Sequence, residues 1–183
     1  AKEWARGFLR ALGRLERPWV GIHPGCGGNT CNLRGAEYGR VAGFLLQGAA
    51  GTVIITGGAG DVGLIDEWDS TLLNDRRMVN TVGKLSLRQL GALIGEMDLL
   101  VAPSTGPLHI ASALGVQTLS PFCGRIYLRP AVWGNHNGRG HCLSPKLAAC
   151  ELWARTHRGF CDFRREVTAV DLAAKADELL RRA

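Results

Sequence analysis

The sequence predicts an α/β fold in which a Rossmann-like parallel sheet is flanked by helices. Short apolar runs alternate along the chain with segments of helical periodicity, which is typical of strands joined by crossover helices. The run DLLVAP, residues 98–103, is almost continuously apolar and ends at a proline, as expected of a central parallel strand covered on both faces. Glycine-rich turns follow three of the predicted strands. In a parallel sheet all three turns should open at the same edge, where ligands bind.

The first third of the chain predicts an opening helix and two strands. Residues 4–15 carry apolar side chains on one helical face, namely Trp4, Phe8, Leu12 and Leu15. The run over 19–22 is the first predicted strand, and it continues into the loop HPGCGGNTCN. A helix over 38–47 and the β-rich strand TVIIT over 52–56 follow.

The later elements follow from periodicity and composition. Residues 62–73 have a helical pattern, and residues 80–82 predict a short strand. After the central strand, a helix over 107–115 ends at its glycine, and a strand is predicted over 116–122. The glycine, proline and asparagine content over 124–146 predicts a long loop.

Two helix starts carry the capping-box spacing, in which a hydroxyl residue is followed three positions later by an acid or amide. Ser86 and Gln89 have this spacing, and so do Thr168 and Asp171. We therefore expect one helix to begin at Ser86 and the last helix to begin at Thr168.

Composition indicates a globular chain of one domain. It has 183 residues, of which 46% are hydrophobic and 21% charged. Its N-terminus lacks a signal-peptide pattern, and no apolar run approaches the ~20 residues that cross a bilayer, so a cytoplasmic location is expected. The net charge of +6 favours an anionic partner or simply keeps the surface soluble. Since the basic residues form no stripe, nucleic acid is not expected as a partner.

The six cysteines are too sparse for a disulfide scaffold in a chain of this length. None forms a C-x-x-C pair. Cys142, Cys150 and Cys161, with His141, could gather around a metal, but their spacings match no zinc template. Reduced thiols and no metal are the expectation.

The turn STGP, which follows the central strand, is suited to an anion. It leads directly into a helix, whose unpaired N–H groups and positive dipole end attract phosphate oxygens. Ser104 or Thr105 can cap that helix and still offer a hydroxyl, and Pro107 suits its first turn. The first turn, GCGGN, offers further backbone N–H groups. The alternative is that these glycine-rich turns are merely tight.

The order of these segments resembles the C-terminal domain of glycosyltransferase family 9, the lipopolysaccharide heptosyltransferases. The resemblance covers roughly residues 18–180, and its most specific part is APSTGPLHIASALG. It implies the GT-B architecture, in which two Rossmann-like domains face a cleft and the C-terminal one holds a nucleotide-sugar donor, commonly ADP-heptose. By this resemblance residues 1–17 form a linker helix and residues 18–183 form the donor-binding domain.

The resemblance assigns Ser104, Thr105 and Gly106 to the donor's sugar and diphosphate. Ser104 replaces an aspartate found in many of these enzymes, which leaves the identity of the sugar open. His109 matches the motif histidine, and it either reaches a phosphate or braces the turn.

The first loop is implied to contact phosphate. Gly27 and Gly28 lie in the glycine-rich turn there, and Asn29 and Thr30 match the family's hydroxyl-bearing positions. The basic residue that usually follows falls at a cysteine, Cys31. Arg34 is the nearest residue able to supply that charge, unless it is simply a solvated charge ahead of a helix.

The second loop and the segment after it are implied to hold the nucleoside. Gly57, Gly58 and Asp61 match a loop where the family often places an acid near the ribose. Leu85 falls where an apolar side chain commonly packs against the base, and core packing is its alternative role.

In the family the catalytic base belongs to the N-terminal domain, so no catalytic residue or cofactor is assigned to this chain. The implied acceptor is a lipid-linked saccharide that reaches the enzyme through that domain, with peripheral association at the inner face of the cytoplasmic membrane. The isolated chain is expected to be inactive. The other function class left open is a non-catalytic nucleotide-sugar-binding module.

Overall fold

A computed structural model of the protein describes residues 2–13, 16–28, 30–124, 128–146 and 166–182. The described residues form six strands, which are β1 (Trp19–Ile22), β2 (Thr52–Ile55), β3 (Met78–Asn80), β4 (Leu99–Val101), β5 (Gln117–Pro121) and β6 (Gly140–Leu143). All neighbouring strands are parallel, in the order β3-β2-β1-β4-β5-β6. This arrangement confirms the predicted Rossmann-like sheet.

Helices connect these strands and cover both faces of the sheet. They are α1 (Lys2–Ala11), α2 (Gly35–Gln47), a 3₁₀ segment (Ala59–Leu64), α3 (Ser70–Leu73), α4 (Leu87–Ile94), α5 (Gly106–Ala113), α6 (Pro130–Trp133) and α7 (Ala169–Arg181). Both predicted capping boxes are confirmed. Ser86 Oγ accepts a hydrogen bond from the Gln89 N–H at 3.3 Å, and Thr168 Oγ1 accepts one from the Asp171 N–H at 3.2 Å.

The core has two parts, one on each face of the sheet. On one face α2 packs against α7, and on the other α1 packs against α4. Strand β4 shows the alternation, because Leu99 and Val101 belong to the first cluster and Leu100 to the second, with all three fully buried. Its neighbours on both sides are strands, so β4 is central, as its apolar run predicts.

Helix α1 is attached to the second part of the core. Its Ala5 and Leu9 are fully buried there. Arg6 Nε donates to Glu96 Oε2 at 2.7 Å, and the Glu96 side chain is only 3% exposed. In the described part of the chain, no helix has both the length and the apolar character that crossing a bilayer requires.

Three of the predicted elements differ in the structure. Residues 62–73 do not form one helix, because the 3₁₀ segment ends at Leu64 and a new helix, α3, begins after Asp69, whose Oδ1 caps the Thr71 N–H at 2.7 Å. The third strand covers 78–80 rather than 80–82. The loop predicted over 124–146 contains α6 and β6. Strand β6 lies at the sheet edge and is only half-buried, so it needs no apolar run.

Candidate functional site

The three glycine-rich loops meet at one edge of the sheet, as predicted. Strands β2, β1 and β4 are adjacent and parallel, and their carboxyl ends lead into loops that begin at His23, Thr56 and Ala102. In open parallel sheets ligands bind at this edge. The loop after β3, which contains Lys84 and Leu85, lies beside the second loop.

The first loop presents its main chain to solvent. Gly27 and Gly28 are exposed and have φ values of 60° and 76°, a left-handed conformation that glycine adopts at little cost. Side chains at these positions would strain the turn. Asn29 lies outside the described residues, whereas Thr30 is half-buried.

A partly buried hydrogen-bond network fixes the first loop to α2. Asn32 Nδ2 donates to the Pro24 carbonyl at 2.6 Å, and the Tyr38 hydroxyl donates to Asn32 Oδ1 at 2.7 Å. Burial raises the pKa of Tyr38, so its phenol keeps the proton that this bond uses. The network holds Arg34, the N-cap residue of α2, at the end of the loop, with its side chain exposed.

Asp61 joins the second loop to the first. Its Oδ2 accepts a hydrogen bond from the Gly58 N–H at 2.8 Å. A Cβ atom added to Gly25 would lie 2.6 Å from Asp61 Cγ, and one added to Gly57 would lie 3.0 Å from Asp61 Cβ. The carboxylate of Asp61 therefore occupies space that two glycines leave open, and it remains half-exposed.

His23 is a buried residue of this site that the sequence analysis did not single out. Its Nδ1 lies 3.0 Å from Thr56 Oγ1, so it links the ends of β1 and β2. Burial lowers the pKa of His23, although the nearby Asp61 carboxylate opposes this effect. The imidazole is therefore neutral at pH 7. Its position directly after a buried strand was the available sequence signal.

The third loop starts α5. Thr105 is the N-cap residue of that helix in an extended conformation, as the sequence predicts. Its hydroxyl, however, makes no capping hydrogen bond. Pro107 has no N–H and the Leu108 N–H donates to the Thr105 carbonyl at 3.1 Å, so the Gly106 N–H is the donor that this first turn offers to another acceptor. Gly106 is exposed, while Ser104 and Thr105 are half-buried.

Two further predicted residues flank these loops. His109 is exposed on α5, one turn after Thr105, and its ring centroid lies 6.2 Å from that of Trp133. Leu85 is half-buried and packs against the second core cluster. Leu85 thus makes the core contact that was its alternative role, and it is not fully buried by that contact.

The edge combines positively charged groups with the Asp61 carboxylate, which together suit an anion bearing hydroxyls. The starts of α2 and α5 supply positive dipole ends, and the Gly106 N–H adds a donor, while the Arg34 N–H is already taken by the Glu37 carboxylate at 2.7 Å. Lys84, which the sequence analysis did not single out, adds an exposed ammonium whose Nζ donates to the Asn80 carbonyl at 2.9 Å. The Asp61 carboxylate is an acceptor for hydroxyl groups.

The metal alternative involves Cys142, Cys150 and Cys161, of which the structure describes only the first. Cys142 is on the edge strand β6, where burial raises the pKa of its thiol to about 11. Cys150 and Cys161 lie outside the described residues. Among the residues that the structure does describe, no three His, Cys, Asp or Glu side chains are grouped as metal ligands.

Two known proteins with related sequences come from Haemophilus influenzae. A protein assigned as a glycosyltransferase is 30% identical over 118 residues, which are 64% of this chain and 34% of that protein. The lipopolysaccharide core heptosyltransferase OpsX is 39% identical over 56 residues, which are 31% of this chain and 16% of that protein.

Solved structures with the same fold extend over almost the whole chain. A family 9 glycosyltransferase from Veillonella parvula has a TM-score of 0.73 at 16% identity and covers 100% of this chain. The ADP-heptose lipopolysaccharide heptosyltransferase II of E. coli has a TM-score of 0.71 at 19% identity and covers 99%. The E. coli heptosyltransferase WaaC, solved with ADP, has a TM-score of 0.66 at 13% identity and covers 96%. The chain spans about half the length of these three proteins, at 52%, 51% and 48%.

The family model named glycosyltransferase family 9 (heptosyltransferase) matches residues 3–129. This range contains the three loops and all the side chains gathered at the sheet edge. The chain therefore belongs to glycosyltransferase family 9.

Proposed function

We propose that the chain is the donor-binding half of a heptosyltransferase-like enzyme. It binds a nucleoside-diphosphate sugar, ADP-heptose or a related donor, for transfer to lipopolysaccharide or another cell-surface glycan. The observation that carries this proposal is the start of α5 at the edge where three loops meet, where the Thr105 hydroxyl makes no capping hydrogen bond and the exposed Gly106 offers its N–H. Relatives named for ADP-heptose or solved with ADP support the donor class.

Each loop has a role in this proposal. The N–H groups at Thr105 and Gly106, with the Arg34 guanidinium, bind the diphosphate, and the main chain at Gly27 and Gly28 lies beside it. The Asp61 carboxylate accepts hydrogen bonds from the ribose hydroxyls. Leu85 packs against the base with the part of its side chain that the core leaves open.

The chemistry proposed for this chain is stabilisation of the leaving group. When the bond between the sugar and the diphosphate breaks, negative charge grows on the nucleoside diphosphate, and the helix dipole and Arg34 stabilise it. Inversion at the sugar needs a base on the acceptor side, which we assign to an acidic residue of an N-terminal domain. On this proposal the chain alone has no transfer activity.

The site of action follows from the acceptor. We assign the acceptor, a lipid-linked saccharide, to the N-terminal domain, and we place the enzyme in the cytoplasm at the inner face of the cytoplasmic membrane. The net charge of +6 supports contact with an anionic lipid surface.

Calorimetric titration of the chain with ADP, ADP-heptose, UDP-glucose and NAD tests the donor site. We expect selective binding of the adenosine diphosphates, weakened about tenfold or more in Arg34→Ala because a hydrogen bond to a charged group is lost. Thr105→Ala is expected to weaken the same ligands, because on this proposal the Thr105 hydroxyl, which does not cap the helix, also hydrogen-bonds the diphosphate. Arg40→Ala is the matched control, because Arg40 is an exposed arginine of the same helix, α2, outside the three loops.

Absence of nucleotide binding, or equal affinity in Arg34→Ala, Thr105→Ala and wild type, would contradict the donor site. A second candidate is a binding module without catalysis, which is favoured by Cys31 and Ser104 at positions where the family usually has a basic and an acidic residue. Transfer of heptose from ADP-heptose by the parent protein would support the enzyme, and binding without transfer would support the module.

A further inference from the structure

A pair of aromatic side chains lies beside the proposed diphosphate site. Trp133, the last residue of α6, is 49% exposed, and its ring centroid is 6.2 Å from that of His109, with the rings tilted by 59°. This separation is within the range for contacting aromatic rings. A large apolar side chain with half its surface in water is a candidate for ligand contact when it lies next to polar groups.

Trp133 is held in a defined position. The Trp133 N–H donates to the Arg129 carbonyl at 3.2 Å, and the next N–H, that of Gly134, donates to the Pro130 carbonyl at 2.7 Å. A Cβ atom added to Gly134 would lie 2.5 Å from that same carbonyl oxygen, so the chain can turn this closely after the tryptophan only with glycine.

The loop after Trp133 is hydrogen-bonded to both α5 and β5. Asn135 Oδ1 accepts from Ser112 Oγ at 2.8 Å, and Asn135 Nδ2 donates to Thr118 Oγ1 at 2.9 Å. Asn137 Nδ2 donates to the Ser112 carbonyl at 3.0 Å. These bonds fix α6 against the side of α5 that carries His109. The Trp133 indole is therefore held in place before a ligand binds, which lowers the entropy cost of binding.

Helix geometry directs His109 toward the diphosphate turn. Residues four apart share a helix face, so His109 lies below Thr105 on α5. Because each Cα–Cβ bond tilts toward the helix N-terminus, the imidazole covers the turn before its own Cα. The aromatic pair therefore borders the place where a group attached to the diphosphate would extend.

We propose that Trp133 and His109 select the sugar of the donor. On this proposal, which rests on the proposed donor function, the indole packs against the apolar C–H face of the pyranose ring. His109 hydrogen-bonds one of its hydroxyl groups. Ser104, a short neutral side chain, binds a hydroxyl less strongly than a carboxylate would, and the aromatic pair supplies the recognition instead.

Comparing ADP with ADP-heptose by calorimetry isolates this contact, because only the second ligand has the sugar. We expect Trp133→Ala to bind ADP like wild type and to bind ADP-heptose about tenfold more weakly. Trp133→Phe should recover part of the lost affinity, because a phenyl ring keeps an aromatic face. His109→Ala should weaken ADP-heptose more than ADP.

Val132→Ala is the matched control, since Val132 belongs to the same short helix and is also 49% exposed. It should leave both affinities unchanged. Circular dichroism checks the fold of each variant, and if Trp133→Ala unfolds, Trp133→Phe and His109→Ala carry the test. Equal losses for ADP and ADP-heptose, or no loss for either, would overturn the sugar contact while leaving the donor site intact. A wild-type chain that binds neither ligand would overturn both proposals.

Discussion

Replacing Gly35 with alanine should disturb the contact between the first two loops. Gly35 is the first residue of α2, and an added Cβ atom would lie 2.9 Å from the carbonyl carbon of Leu64 and 3.1 Å from its Cα, with the carbonyl oxygen closer still. These are backbone atoms at the end of the 3₁₀ segment, so a side-chain rotation cannot relieve the clash. The helix and the segment must move apart.

The magnitude follows from two opposing effects. Overpacking a close contact costs about 1–3 kcal/mol. Alanine gains up to about 1 kcal/mol over glycine inside a helix, and less at the first position. We therefore expect Gly35→Ala to lower the free energy of unfolding by about 1–2 kcal/mol. Gly43→Ala on the same helix meets nothing within 4 Å, and it should raise that free energy by about 0.5–1 kcal/mol.

Urea unfolding followed by circular dichroism measures both variants, and titration with ADP follows the site. Gly35 adjoins Arg34, and Leu64 ends the segment that contains Asp61, so Gly35→Ala should also weaken ADP binding. Gly43→Ala should leave ADP binding unchanged. The reasoning is refuted if Gly35→Ala is as stable as Gly43→Ala, because the added Cβ would then have been accommodated without cost.

The remaining predictions concern a buried imidazole and a buried carboxylate. Because burial lowers the pKa of His23 below its usual value of about 6.5, the unfolded chain binds the proton first as the pH falls. The stability due to neutral His23 is therefore present above pH ~6.5 and is lost below it, by at most about 1.4 kcal/mol per pH unit. Urea titrations between pH 7.5 and 5 should show a smaller decline in the free energy of unfolding for His23→Gln than for wild type. An identical decline in the two proteins would contradict the assignment. Arg6→Ala leaves the Glu96 carboxylate without the Nε hydrogen bond, so the free energy of unfolding should fall by about 1–3 kcal/mol. Adding Glu96→Gln should recover part of that loss, and a single Arg6→Ala variant as stable as wild type would show that the ion pair contributes nothing.

The elements predicted well are those whose signals are local. Strand β4 is apolar on both faces because helices cover both faces of the sheet. The resulting apolar run is visible in the six consecutive residues 98–103. The capping boxes at Ser86 and Thr168 depend on side chains only three residues apart. The positions of the three loops then follow from strand order and from the rule that parallel strands share an edge.

What the sequence did not reveal depends on distant partners. Strand β6 forms by pairing with β5 at the sheet edge, because its own residues GHCL have no apolar pattern that would predict a strand. Trp133 lies in the segment predicted as a loop, and Asn135, through bonds to α5 and β5, helps to fix its place. The role of His23 in linking β1 to β2 depends on Thr56, which is 33 residues away. These contacts join residues far apart in the sequence, so a short stretch of sequence cannot predict them.

The central position of β1 has a consequence for how the chain folds. Val20 pairs with Val53 on one side and with Leu99 on the other, and Asp98 accepts a hydrogen bond from the Trp19 N–H at 2.6 Å. The first strand therefore completes its pairing only after almost eighty further residues have been made. At a synthesis rate of about 5–20 residues per second, the ribosome needs roughly 4–16 s to make these residues. During that time the edge of the apolar strand β1 that pairs with β4 has no hydrogen-bonding partner strand. A sheet closed by such distant pairs is expected to fold slowly, and its first strand is the segment that a chaperone would find exposed on the ribosome.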